Sequence, residues 1–185
     1  MVSSLLEHEE AVRPMDAAIA ALGHLDNPAA IPLIIEHESH PNADIRFAVA
    51  CSLGSFPSDP RSAECLLSLM KDVDEEVRDW ATFGPGVQGD LDSVAIRDAL
   101  FERLSDSNKD VREEAIAGLG KRKDQRVLPS LVATLEESAV SRPAIEAAID
   151  MLDMQEDREG WTATDYASAL RERFGPSSAE QGHEK

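Results

Sequence analysis

The chain is 185 residues long, enough for one domain or one short array with a buried core. Apolar residues make up 42% but aromatics only 4%, so any core must be aliphatic and rich in alanine. Thirty-six acids against 18 Lys and Arg leave a formal charge of −18, a field that repels nucleic acids, suits neutral or basic partners and equally serves solubility.

The opening MVSSLLEHEE has neither the basic nor the apolar region of a secretion signal. No later stretch reaches the ~18 continuous apolar residues of a membrane span. Cys51 and Cys65 form no C-x-x-C pair and read as small apolar residues in a reducing compartment. The expectation is a cytoplasmic protein that meets no membrane.

Five stretches can be laid on one another: PMDAAIAALG, IRFAVACSLG, VRDWATFGPG, VREEAIAGLG and AIEAAIDMLD. They end at Gly23, Gly54, Gly86, Gly120 and Asp153, at spacings of 31, 32, 34 and 33 residues. A period of this size with an Ala-rich unit marks a helical solenoid. Each unit predicts two antiparallel helices. The pairs run roughly 13–38, 43–71, 75–105, 109–137 and 142–174. The second helices are marked in turn by Ile31, Ile34 and Ile35; by Leu66, Leu69 and Met70; by Ile96, Ala99, Leu100 and Leu104; and by Leu128, Leu131, Val132 and Leu135. These fall at i, i+3, i+4 and i+7, one apolar face per helix. Residues 3–10 read as half of a truncated leading repeat. The closing helix, 162–174, stops at Gly175-Pro176, and 176–185 reads as a disordered tail, so 1–175 is expected to be a single domain.

The punctuation agrees with this division. Asp26, Asp59, Asp90, Asp124 and Asp157 follow the repeat ends, placed to cap or precede a helix N-terminus. Pro28, Pro32, Pro60 and Pro129 fall at or near first turns. Gly23, Gly54 and Gly120 stand just past a Leu and read as C-terminal stops. Pro85 stands where other repeats carry Leu53 and Leu119, so its helix should kink or end early.

The unit Asp-x-x-Val-Arg, then Ala-rich, then Leu-Gly, then a turn Asp and an Ile/Leu-Pro helix, resembles HEAT repeats. It looks most like the short bacterial type called phycobilisome-lyase HEAT-like repeats, over about 11–174. The resemblance implies an all-α, right-handed superhelix of about five helical hairpins, with the Val-Arg helices on the concave side. It also implies a ladder in which Arg46, Arg78 and Arg112 each reach a turn Asp of the same or a neighbouring repeat, Asp44, Asp74 and Asp110 preceding them. Such repeats serve as scaffolds, lyase subunits, hydroxylases and DNA glycosylases. The residues favour a non-catalytic protein-binding scaffold. A relative of bilin lyases is the enzymatic alternative, and an acidic groove argues against a glycosylase. The His-Glu pairs of the iron-binding hydroxylases have no match at Phe47-Ala48, Asp79-Trp80 or Glu113-Glu114.

Trp80 and Phe83 replace small or charged residues at their repeat positions and share one helix face. With Phe47 they would line the groove, Arg78, Asp79, Glu113 and Glu114 around them. That arrangement suits a basic or amphipathic peptide. The alternative is that Trp80 plugs a gap between repeats. His24, His37 and His40 with Glu36 and Glu38 form the one metal-like group, but Pro41 ends the helix there, so a solvated loop is expected. No catalytic motif, cofactor or metal is expected, and the partner is a protein or peptide rather than a nucleic acid.

Overall fold

The computed structural model describes residues 14–25 and 27–175, which form helices and turns with no strand among them. The leading half-repeat and the tail expected from the sequence lie outside these residues. The helices are α1 (14–23), α2 (Ile31–Ile35), α3 (Ala43–Gly54), α4 (Pro60–Leu69), α5 (Glu75–Phe83), α6 (Val94–Arg103), α7 (Lys109–Lys121), α8 (Leu128–Leu135), α9 (Arg142–Met151) and α10 (Ala163–Phe174). Short 3₁₀ turns, Pro28–Ala30 and Gln125–Val127, lead into α2 and α8.

Side chains start most of these helices. Asn42, Asp59, Asp74, Ser93 and Asn108 each accept a first-turn N–H of α3 to α7, worth about 1 kcal/mol apiece. Asp59 and Asp124 cap as the sequence suggests. Asp90 and Asp157 do not. Ser93 caps α6, and at α10 the Asp165 carboxylate accepts from the Thr162 N–H and hydroxyl. Asp157 instead accepts from the Tyr166 hydroxyl. Asp26 lies outside the described residues.

Helices α3, α5, α7 and α9 stack in one row, and α10 closes the array against α8 and α9. Contacts along this row are more extensive than those of α2 with α4 or α4 with α6. The core lies between the rows. Ile45, Val49 and Leu53 face Met70 and Leu66, and the pattern repeats through Val77, Leu100, Leu119, Leu131 and Leu135, all at most 2% exposed. Each such side chain contributes about 1.5–3 kcal/mol by burial.

The repeat glycines serve this packing. A Cβ on Gly120 would lie 2.6 Å from that of Ala147 in the next row helix, and one on Gly23 would lie 2.8 Å from Ser52 Cα. Gly23 and Gly54 are the last residues of α1 and α3, as stops should be, and Gly120 lies one residue inside the end of α7. The stop after α7 falls on Lys123, whose φ is 52°, with Asp124 N–H returning to Leu119 O at 3.0 Å. At Gly120 the sequence reading took closeness for termination.

Pro85 does end its helix. α5 finishes at Phe83, and Gly84–Gln88 makes one wide π turn closed by Gly89 N–H on Gly84 O at 2.8 Å. Arg122 latches this segment from α7's end. Its buried guanidinium donates to Pro85 O and Leu91 O, both at 2.7 Å, and to Gly118 O at 2.8 Å. Burial lowers its pKa, the cost being offset by these carbonyls.

Candidate functional site

Two edges of the α3–α5–α7 row carry charged side chains, and they differ in kind. Along one runs the arginine ladder. Arg46 Nε and Nη2 donate to Asp72 at 2.6 and 2.8 Å, and Arg78 repeats this on Asp106 at 2.9 and 3.0 Å. The acceptors are the Asp of the following turn; Asp74 caps α5, and Asp44 and Asp110 lie in the first turns of α3 and α7. The Arg46 hydrogen bond, against some burial, holds Asp72 below the usual carboxylate range. Burial works against ionised Asp106, but the Arg78 hydrogen bond and the Asn108 N–H prevail and keep its pKa low.

Along the face of the row lies the aromatic strip. Val77 and Ala81 turn α5's apolar side to the core, which leaves Trp80 outside, 41% exposed. Phe47 of α3 meets it edge-on with centroids 5.9 Å apart, and Phe83 does so at 5.8 Å. Phe47 and Phe83 are half-buried. Trp80 is therefore partly exposed at the surface and bracketed by two rings, one of them from the preceding repeat.

One repeat further on, the positions matching Phe47 and Trp80 are Asp79 and Glu114. Asp79 Oδ1 and Glu114 Oε2 are buried with no hydrogen-bond partner, and no Lys or Arg among the described residues lies within 4 Å of either carboxylate. An orphaned buried acceptor costs about 1–3 kcal/mol. Burial, with Asp79 and Asp110 nearby, pushes Glu114 up to about 9. Burial, then Asp110, Asp106 and Glu76, raises Asp79.

The residues expected at the site divide three ways. Phe47, Trp80 and Phe83 make the aromatic strip, with Asp79 next to Trp80 in the chain and Glu114 near enough to Asp79 to feel its charge. Arg78 is committed to Asp106. Glu113 pairs with Lys109 at 3.3 Å and lines a separate cavity between α7 and α8. The histidines lie elsewhere, His40 Nδ1 accepting from Asn42 N–H at 3.2 Å in the turn before α3. Among the described residues no group of three or more His, Cys, Asp or Glu is arranged to hold a metal. Burial pushes the Cys51 thiol up to about 12 and raises Cys65 likewise, so neither is a thiolate nucleophile near neutral pH. The sequence reading missed Arg122. Its signal was a run of Lys and Arg, 121–123, in an otherwise acidic chain.

The pattern of the family described as HEAT repeats matches residues 3–84 and 87–153. Its break falls inside the Gly84–Gln88 turn. The chain is similar to Protein YibA of Escherichia coli (strain K12), 37% identical over 131 residues, which are 69% of this chain and 46% of that protein. Protein YibA of Escherichia coli O157:H7 gives the same figures. The X-ray structure of the Escherichia coli YibA matches with a TM-score of 0.62 at 32% identity, over 78% of this chain and 56% of that one. The chain thus spans about half the length of the curated relatives it matches.

Proposed function

The chain belongs to the HEAT-repeat family, and from that premise we propose a non-catalytic cytoplasmic scaffold that binds a basic peptide segment across α3, α5 and α7. The observation that carries this reading is the exposed Trp80, next in the chain to Asp79, together with the buried Asp79 Oδ1 and Glu114 Oε2, which no donor among the described residues reaches. A Lys or Arg of the partner would lay its stem on Trp80 and give its charge to Asp79 and Glu114. Because Glu114 holds a proton up to about pH 9, capture of a cation near neutrality releases that proton. The net charge of −18 draws such a segment in, and the low aromatic content makes the Phe47–Trp80–Phe83 strip distinctive. The unpaired Cys51 and Cys65 suit a reducing compartment.

Two blocked peptides that differ only in one Lys or norleucine, flanked by leucines, test the reading. Titrated against the full chain and followed by tryptophan fluorescence, the Lys peptide should bind more tightly. Its advantage should shrink with added salt and vanish in the double variant Asp79→Asn, Glu114→Gln. Equal binding of the two peptides, or no binding of either, would overturn it.

A further inference from the structure

The ladder has a third rung. In all three arginines Nη1 donates to two carbonyls of the preceding turn. Arg46 takes His40 O and Pro41 O, Arg78 takes Asp72 O and Val73 O, and Arg112 takes Asp106 O and Ser107 O at 2.7 and 2.9 Å. The three guanidinium groups are therefore held alike. In the first two, Nε and Nη2 fork onto a carboxylate. That carboxylate stands two residues before the N-cap of the next row helix, and its second task is to accept the N-cap N–H. Asp72 accepts from Asp74 N–H at 2.9 Å and Asp106 from Asn108 N–H at 3.0 Å.

The N-cap of α9 is Ser141, and two residues before it stands Ala139. The carboxylate of the third rung is missing from the chain. Its absence leaves a matching set of unused groups. Among the described residues Arg112 Nε and Nη2 have no acceptor, and no carboxylate lies within 4 Å of the guanidinium. Ser141 N–H has none either, and Ser141 Oγ is buried without a partner. A cavity of about 190 Å³ opens beside Arg112 between α7 and α8, with Lys109, Ser130 and Thr134 in its wall. At ~30 Å³ per liquid water, it has room for a group of several heavy atoms.

We propose that this vacant rung is a carboxylate-binding site, filled from outside by the group that Asp72 and Asp106 supply within the chain. A bound carboxylate takes Arg112 Nε–H and Nη2–H side by side and the Ser141 N–H, as in the filled rungs. Glu113 and Glu137 in the wall oppose an anion, but both face Lys109, at 3.3 and 3.9 Å. They weaken binding and leave the short-range fork as the source of selectivity. The site is independent of the Trp80 patch and stands or falls apart from it.

The test follows the Arg112 Nε–H resonance of the full 15N-labelled chain during titration with acetate, against chloride at equal ionic strength. The expected result is a saturable shift with acetate and none with chloride. Ala139→Asp supplies the carboxylate from within. The resonance should then start in its shifted position, and acetate should do nothing more. Arg112→Gln, which leaves Ser141 to report, should lose the acetate response at the Ser141 amide. A blocked peptide carrying one Glu separates the sources. Tighter binding than acetate assigns the site to a partner's acidic side chain, and binding no tighter assigns it to free carboxylates. An Arg112 resonance that neither acetate nor peptide moves, or that acetate moves equally in Ala139→Asp, would overturn the proposal.

Discussion

The ladder edge and the Trp80 patch share helices α5 and α7 yet treat charge in opposite ways. On the ladder, Asp72 and Asp106 are buried, forked by arginine and kept ionised. On the patch, Asp79 and Glu114 are half-buried, each with one buried oxygen that has no donor among the described residues, and are driven toward the neutral form. Burial is common to both, so the partner decides the sign of the shift. Matched charge of this kind fixes the angle between repeats. Unmatched charge is a standing cost, and under the proposed function it is what a partner's cation would relieve.

The largest test removes a matched partner. Arg78→Ala leaves Asp106, whose side chain is only 3% exposed, with Arg103 alone. The expected loss is about 3 kcal/mol, toward the lower end for a broken buried pair because Arg103 remains. Urea unfolding measures it, and a change within ~0.5 kcal/mol would show that the ladder is ornamental.

The two edges should also part company with pH. Asp72 and Asp106 have lowered folded values, so their stabilisation is complete above the ordinary carboxylate range and is lost as pH falls through the folded values. Glu114 is raised from 4.5 to about 9, so the folded state holds a proton that the unfolded state gives up, and stability falls as pH rises between those values. Glu114→Gln should therefore stabilise the chain by about 1–3 kcal/mol at mildly alkaline pH, the order of one unsatisfied buried group. The gain should disappear below pH 4.5. Thermal melts of both proteins across that range would show the crossover, and parallel curves would remove the account of Glu114.

Ala139→Asp is the smaller companion test. Completing the third rung should add about 1 kcal/mol, the usual net worth of a hydrogen-bonded pair at partial exposure. No gain in melting temperature would mean that the turn before α9 does not present position 139 as its counterparts do.

Much of this was legible in the sequence because repeats compare a chain with itself. The five-fold Ala-rich pattern predicts the pairs, and Pro85 the early end of α5, while the resemblance to HEAT repeats implies the ladder. Trp80 and Phe83 stand out because other repeats place Ala48 and Cys51, or Glu114 and Ala117, there. What the pattern hides is distance. Gly120 reads as a stop, and only the 2.6 Å approach to Ala147 shows that it is a contact. Asp72 and Asp106 lie 26 and 28 residues from their arginines, so a nearer Asp, such as Asp74, is the natural misreading. Arg122 reaches carbonyls 31 to 37 residues away along an irregular turn, which no local periodicity encodes. Asp79 and Glu114 were visible as acids, but their lack of donors is a property of packing.

Trp80→Ala is the most direct measurement of the central claim that the patch is a docking site and not part of the core. Calorimetric stability and Lys-peptide affinity should be measured on the same preparation, with affinity read calorimetrically since the fluorophore is removed. A surface tryptophan 41% exposed should cost about 1 kcal/mol or less. Peptide affinity should fall at least about tenfold, as for an interface anchor. A loss of about 3–5 kcal/mol in stability, the range for a core aromatic, with peptide affinity unchanged in the folded fraction, would contradict the account.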